Sequence, residues 1–495
     1  MLLRVKRLDI HTGGPFISIL HARDAEQLDV HYGDRILISH NNHKEIAVVD
    51  ITHHKKTVQP GSIGLMEELQ AKLNARHGAK VRISIIPHAE STIIIGKKMA
   101  GRRLSSQEFL TVVQEIVRNR LTEAELAAFV TACFIHELSD DEVVSLCKAM
   151  VLTGERITFR RRPVMDVHCI GGIPGNRTTP IIVPIIAAAG LLIPKTSSRA
   201  ITSPSGTADT LETIMDVSLG INRLKKAIEK TNGAMVWGGA LNLAPADDRI
   251  IRIEHPLNID AEGQMIASVM AKKYAVGSTH LLLDIPVGGM AKVKSPSAAL
   301  RLKRRFEYVG RRLGIKMRII FTEGEEPIGN GIGPALEAQD ILKIMKNDKT
   351  APVYLKEKSL KMAGIMLEMA GKAKIGSGYK MAAEILSSGR ALKKFNQMVE
   401  AQGRAPKSRL KIGKYKTTIF SKRNGKVSWI NARILSQIAK AAGAPKDYGA
   451  GVYLHQHLKD MVQKGQPLFT VYAENSEKLK HSIANEQLDL IFRIT

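Results

Sequence analysis

The chain has little cysteine and few aromatics. Only Cys133, Cys147 and Cys169 occur among its 495 residues. So sparse and odd a set builds no disulfide framework and fits a reducing compartment, which makes the cytoplasm the expected location. There is no CxxC pair and no HExxH helix. His455 and His457 stand two apart without the company that a tetrahedral site needs, so no metal is expected. Phe, Trp and Tyr make up 4% of the chain, which leaves Ile, Leu, Val, Ala and Met to build the cores. No apolar run reaches the roughly 18 residues of a bilayer span. The richest, 180–194, holds Pro184 and reads as a buried strand or helix. The first residues carry Lys6, Arg7 and Asp9 before any apolar stretch of a secretory leader could form. Neither a long repeat nor a low-complexity segment is present.

What the chain has in excess is positive charge, a formal +26. Such a surplus favours anions: nucleic acid, nucleotides or phosphate. The lysines and arginines are spread along the chain, with small clusters at 160–162 and 301–305. No recognition-helix signature, RNA-stacking motif or basic tail accompanies them, so nucleic-acid binding is a rival expectation rather than the main one.

The length suggests about three domains. Residues 1–90 alternate short β-type runs with turns and predict a β-rich domain with one helix near 65–76. Three capping boxes then follow, Ser105…Glu108, Thr122…Glu125 and Ser139…Glu142, each heading an apolar stripe at helical spacing. They predict a helical lobe over 95–160, joined by about 245–276. Over 163–345 apolar runs alternate with helical segments, the pattern of a mostly parallel sheet. The Lys-rich stretch 341–360, with Pro352, reads as a linker. Residues 346–495 read as an α+β C-terminal domain, with turns at Asn424-Gly425 and Lys464-Gly465. The fold class is therefore α/β with a helical lobe and β-rich terminal parts.

Two blocks carry chemistry. In Asp166-Val-His-Cys-Ile-Gly-Gly-Ile-Pro-Gly-Asn-Arg-Thr-Thr179 a strand runs into a glycine loop and then a helix. Glycines let backbone N–H groups approach a ligand, and a helix start favours an anion. The spacing is neither that of a dinucleotide loop nor that of a P-loop. In Lys195-Thr-Ser-Ser-Arg-Ala-Ile-Thr-Ser-Pro-Ser-Gly-Thr-Ala-Asp209 seven hydroxyl residues surround Arg199. Hydroxyls and an arginine fork are good phosphate partners.

With the motifs 243–247, 268–273 and 284–289 in the same order, these blocks make the chain resemble the thymidine and pyrimidine-nucleoside phosphorylases, and especially the long branch that holds archaeal AMP phosphorylases. The resemblance covers about 95–480, and the N-terminal domain extends it to the long branch. It implies a helical lobe and an α/β lobe, at least a homodimer, small-molecule nucleoside or nucleotide substrates, inorganic phosphate as co-substrate and no cofactor. By position it implies that His168, Asp260 and Lys272 are catalytic. Asp260 would be the proton donor, and Lys272 with Ser268 would face the base. Gly172, Ser197, Ser198, Arg199, Ala200, Ile201, Thr202, Ser203, Thr207, Ser268 and Lys292 would bind phosphate or nucleotide. The chain departs from the short branch at Val167 and Cys169, where that branch has Lys and Ser, and near Ile253, where it reads the base with an Arg. Arg199, Lys195 or Lys292 would have to supply the missing charge. These departures leave two expected substrates, thymidine and a 5′-monophosphate such as AMP. A nucleotide-binding regulator without catalysis is the non-enzyme alternative.

Overall fold

The computed structural model describes residues 1–12, 16–86, 90–200, 203–257, 259–484 and 486–495, with the backbone only at 486 and 487. The described residues fall into two compact units, Met1–Thr153 with Pro245–Met265, and Gly154–Ala244 with Ile266–Thr495.

The first unit begins with a closed six-stranded barrel. Around it run Leu2–Arg7, Ser62–Leu65, Ile17–His21, His43–Thr52, Arg35–His40 and Lys80–Ile85. Inward residues alternate along the first and third of these in sequence: Leu3 and Val5, then Ile36 and Ile38, are buried while their neighbours are more exposed. Closure leaves no open edge, which the strand pattern alone did not reveal. All three capping boxes form, on the helices Ser106–Val117, Glu123–Ile135 and Asp140–Leu152. A capping side chain of this kind is worth about 1 kcal/mol. Glu142 of the third box also receives Lys98 Nζ at 2.9 Å, an ion pair almost wholly buried. The unit is completed by the helix Pro245–Leu257.

The second unit is built on five parallel strands. Lys316–Glu323, His280–Val287 and Met165–Cys169 form one run, and Ile193–Ser197 and Gly233–Trp237 the other. Met165 N–H donates to Leu192 O at 2.7 Å, and a parallel bridge at Val164–Leu192 joins the two runs. In chain order the strands lie 3-2-1-4-5. The order therefore reverses between the first strand, which carries His168, and the fourth, which carries Asp284. At such a switch point the connections leave in opposite directions and open a crevice beyond the carboxyl ends of the strands.

The apolar run after the glycine loop is a helix, Thr179–Ala188, with residues 180–187 all buried. A helix apolar on every side belongs inside a core. The helices Val353–Met369, Gly378–Ser387 and Arg390–Gln402 enclose it. Leu355, Met366, Phe395 and Met398 share one apolar core with Ile181, Ile185 and Met235. The stretch 341–360 is thus no linker. It holds the end of Pro334–Met345 and the start of Val353–Met369, and Pro352 sits at the N-cap of the latter, where a missing N–H costs nothing. A separate core begins later, around Val427, Leu435, Val452 and Phe469. It lies beneath an antiparallel sheet of Gly331–Ile332, Gly451–Leu454, Pro467–Ala473 and Tyr415–Phe420.

Candidate active site

The site begins at the end of the strand Met165–Cys169. Its first three residues are all buried, among them Asp166, which accepts from Lys273 Nζ and Ser278 Oγ, each at 3.0 Å, and from Val167 N–H at 2.8 Å. His168 follows, half-buried. Burial, then the charges of Lys273, Lys195, Lys272 and Lys292, hold its imidazole well below the usual range. A neutral imidazole donates one hydrogen bond and accepts another, which suits it to a sugar or base rather than to phosphate.

The glycines of the next loop are required by geometry at one place above all. Gly172 has φ +96°, and a Cβ on it would stand 2.6 Å from the backbone N of Lys292. The loop after the first strand thus touches the segment after the fourth, across the switch point. Cys169 is engaged within the loop: its Sγ accepts from Gly171 N–H at 3.4 Å and from Asn176 Nδ2 at 3.2 Å. Burial pushes the thiol up to about 12.

The neighbouring strand brings Lys195 and Ser197 to the same edge. Two residues apart, they share a face of the strand. Lys195 is 4% exposed. Burial first, and Lys273 next, drive its amine well below the usual lysine range. Ser197 Oγ is buried without a hydrogen-bond partner. Such an orphan is uncommon in a folded protein and marks a place where a ligand or water belongs.

Beyond Ser197 the chain folds back around Asp209, whose Oδ2 accepts from Ala200 N–H at 2.7 Å and Gly206 N–H at 2.8 Å. Ser203 Oγ donates to Ser205 O at 2.9 Å, Ser198 is exposed, and Thr207 opens the short helix Thr207–Glu212. Ile201 and Thr202 lie outside the described residues. Arg199 is not the spare cation expected from the sequence. Its guanidinium meets Glu212 at 2.6 and 2.8 Å and Asp209 at 3.2 Å, and it stacks on Trp237 at 4.8 Å. Its charge is answered inside the protein by Glu212 and Asp209.

Ser268, Lys272 and Lys273 lie on the helix Glu262–Ala275, where Lys272 Nζ donates to Ser268 Oγ at 3.4 Å. Lys292 is exposed on the loop after the fourth strand. Asp260, also exposed, belongs to the first unit, just ahead of that helix. Of the residues expected from the sequence, the second unit thus gathers His168, Gly172, Ser197, Lys272 and Lys292 around one strand edge.

Several participants escaped the sequence reading. Asp166 and Lys273 stood inside recognised motifs but drew no role. Lys358 was hidden in the supposed linker. It pairs with Asp284 at 2.8 Å and donates to Thr322 Oγ1 at 3.1 Å, while Thr322 donates to Asp284 at 2.6 Å. Arg177 reaches Glu337 at 2.7 Å and so ties the glycine loop to the helix Pro334–Met345. Among the described residues no group of three or more His, Cys, Asp or Glu could hold a metal, and no helix is long and apolar enough to cross a membrane.

Three family domains match in chain order: the helical bundle domain of a glycosyl transferase family at 92–154, its a/b domain at 161–392, and the pyrimidine nucleoside phosphorylase C-terminal domain at 426–488. An AMP phosphorylase 1 of Archaeoglobus fulgidus is 43% identical over 98% of this chain and 95% of its own. A protein of Legionella pneumophila (strain Paris) that carries the name of a thymidine phosphorylase is 40% identical over 99% of this chain and 95% of its own. The chain belongs to this family of pentosyl-transferring phosphorylases. Among solved structures, the anthranilate phosphoribosyltransferase of Thermus thermophilus superposes with a TM-score of 0.53 at 19% identity, over 62% of this chain and 98% of that one. The same enzyme from Saccharomyces cerevisiae gives 0.51 at 14%, over 63% and 97%. At such identities the likeness is one of fold: a helical bundle with an α/β domain.

Proposed function

We propose that this phosphorylase cleaves the N-glycosidic bond of a nucleoside 5′-monophosphate with inorganic phosphate, releasing the base and a ribose 1,5-bisphosphate; AMP, giving adenine, is the type substrate. The observation that carries this reading is the charge at the switch point. Four lysines, 195, 272, 273 and 292, act together on His168, while Asp166 pairs with Lys273. Amines gathered in this way, Lys195 among them able to take up a proton, suit two phosphoryl groups better than one.

Phosphate attacks C1′ as the base departs, through an oxocarbenium-like transition state. Ser197, Thr207 and the lysines hold the nucleophile in line, and positioning of this kind can supply several kcal/mol. The loop 198–203 with Gly172 and Lys292 takes the 5′-phosphate. Neutral His168 hydrogen-bonds the sugar or base, Lys272 and Ser268 face the base, and Asp260 protonates the leaving nitrogen. Nucleophile and leaving group both come from substrates, so the reaction needs no cofactor beyond phosphate as co-substrate. The chain is taken to act in the cytoplasm as a homodimer or larger homo-oligomer.

A second reading, phosphorolysis of thymidine to thymine and 2-deoxyribose 1-phosphate, is favoured by relatives named for that activity that span nearly the whole chain. Incubation with phosphate and each of thymidine, uridine, AMP, CMP and UMP, followed by detection of free base, decides between them. Release from AMP supports the first reading, release from thymidine alone supports the second, and release from none overturns both. Asp260→Asn tests the acid: activity on AMP within a few-fold of the parent protein would refute that role.

A further inference from the structure

The cluster beneath the glycine loop does not balance. Asp166, Lys273 and Lys195 are all nearly inaccessible, at 0%, 2% and 4% exposed. Asp166 gives its carboxylate to Lys273 at 3.0 Å and to Ser278 at 3.0 Å. Among the described residues no carboxylate lies within ion-pair distance of Lys195, whose Nζ donates instead to the carbonyl oxygen of Thr196. The groups that bear on it from the elements around it are Asp166 on the adjacent strand and Lys272 and Lys273 on the helix Glu262–Ala275. His168, on the same strand as Asp166, feels its charge in turn, together with that of Lys292. Asp166 thus answers Lys273, and among the described residues no carboxylate answers Lys195. A buried ammonium without a counter-ion is so unfavourable that the group sheds its proton instead. The direction found for Lys195, well below the usual lysine range, agrees with that expectation. Two residues further along the same face of the strand stands the unpartnered Ser197 hydroxyl. A dehydrated cation-forming group and an orphaned hydroxyl side by side make a receptor for an oxyanion.

We propose that Lys195 is the cation of the phosphate site, and that it takes one proton from solvent as the phosphate dianion enters beside Ser197. The inference rests on the phosphorylase reading of the site and deepens it. It assigns to Lys195 the charge that neither Val167 nor Arg199 provides. The balance is simple: a neutral amine, a proton from the buffer and a phosphate dianion become an ammonium–phosphate pair, and no bond of the phosphate forms or breaks. Lys195 touches the oxyanion through a charge-assisted hydrogen bond, and it is protonated only while the site is filled. Between turnovers the cluster then avoids holding an uncompensated charge.

Calorimetry of inorganic phosphate binding to the full chain at pH 8.5, in two buffers of different ionisation heat, reads this directly and needs no nucleoside. The parent protein is expected to take up about one proton per phosphate bound, the change in occupancy of one titrating group. Lys195→Met is expected to bind phosphate about tenfold or more weakly, with no proton uptake, as befits a lost charge-assisted hydrogen bond. Lys195→Arg, whose charge is permanent, is expected to keep measurable binding while uptake falls to zero, and it serves if the Met variant fails to fold. Uptake unchanged in either variant, unchanged affinity in Lys195→Met, no uptake in the parent, or no phosphate binding by the parent each overturns the proposal. A parent protein that binds phosphate with uptake but frees no base from any nucleoside or nucleotide leaves Lys195 in place and refutes the phosphorylase reading alone.

Discussion

Two buried ion clusters stand on adjacent strands of the same sheet, one on each side of the switch point, and they are built differently. On the fourth strand the charge of Asp284 is answered: Lys358 stands 2.8 Å from Oδ2, which takes no hydrogen bond, Thr322 donates to Oδ1 at 2.6 Å, and Lys358 is also on Thr322. One negative charge meets one positive charge. On the first strand Asp166 has Lys273 and Ser278, and Lys195 is left over, with Ser197 unpartnered nearby. The strands are in register, Leu281 beside Asp166 and Asp284 beside Cys169, so the contrast is not one of depth in the fold. A balanced cluster holds structure. An unbalanced one waits for a ligand.

The sharpest way to break this comparison is to remove one lysine from each side. Lys358→Met strips Asp284 of its partner at a site with both side chains nearly inaccessible, 4% and 0% exposed. It is expected to cost about 3–5 kcal/mol, the usual effect of leaving a buried charge alone. Lys195→Met removes the surplus group, and in the absence of phosphate it is expected to leave stability unchanged or raised. Denaturant unfolding of both variants with no phosphate present checks the pair. Equal losses would mean that the two clusters are of one kind.

Gly172→Ala comes next. It forces a Cβ to within 2.6 Å of Lys292 N at φ +96°. The expected strain is about 1–3 kcal/mol, with a larger loss in nucleotide affinity, because the loop and the Lys292 segment must part to admit the methyl group. Gly171, with φ +93° but nothing within 4 Å of where a Cβ would stand, should suffer only the backbone effect when changed to Ala. Unfolding and titration with AMP separate the two glycines.

A smaller effect concerns pH. His168 in the folded chain lies well below its ordinary 6.5, so the unfolded chain binds more protons between the two values. Stability from this group therefore rises with pH across that window, and it is lost as pH falls below about 6.5, by at most about 1.4 kcal/mol per unit. Lys195 acts in the same sense nearer its own ordinary value, so stability from it grows on the way up towards 10.5. Unfolding of His168→Gln at several pH values between 5 and 7 is expected to show a shallower slope than the parent. An unchanged slope would mean that His168 binds its proton equally well in the folded and the unfolded chain.

How much of this was legible beforehand follows from the range of each interaction. Capping boxes at 105, 122 and 139 are local, four residues long, and all three formed. The alternation of strands and helices over 163–345 led to the parallel sheet for the same reason. Closure of the barrel depends on pairings such as Leu2 with Arg82, which no local pattern carries. The run 341–360 misled because lysine counts as exposed by default, whereas Lys358 is buried on Asp284, a partner 74 positions away in sequence. At the site, the motif order placed His168, Ser197 and Lys272 near one another. Which cation is surplus could not be read there, since Arg199 and Lys195 differ only in whether Glu212 and Asp209 fold back to meet them.

The mildest test falls on Cys169, which stands between the two clusters, paired in register with Asp284. A thiol near Lys358 could be expected to ionise and react, since nearby cations favour the thiolate. Burial outweighs them and the Asp284 carboxylate adds to it, pushing the thiol up to about 12, with Lys358 opposing. The same burial raises Cys133 to about 12. Iodoacetamide at pH 8 is therefore expected to leave both residues unmodified in the folded chain and to label them only after unfolding, as mass spectrometry of the peptides would show. Rapid labelling of Cys169 in the native protein would mean that the lysine charge reaches it unscreened. The charge of Lys358 would then not be held by Asp284, and the contrast between the two clusters would fail.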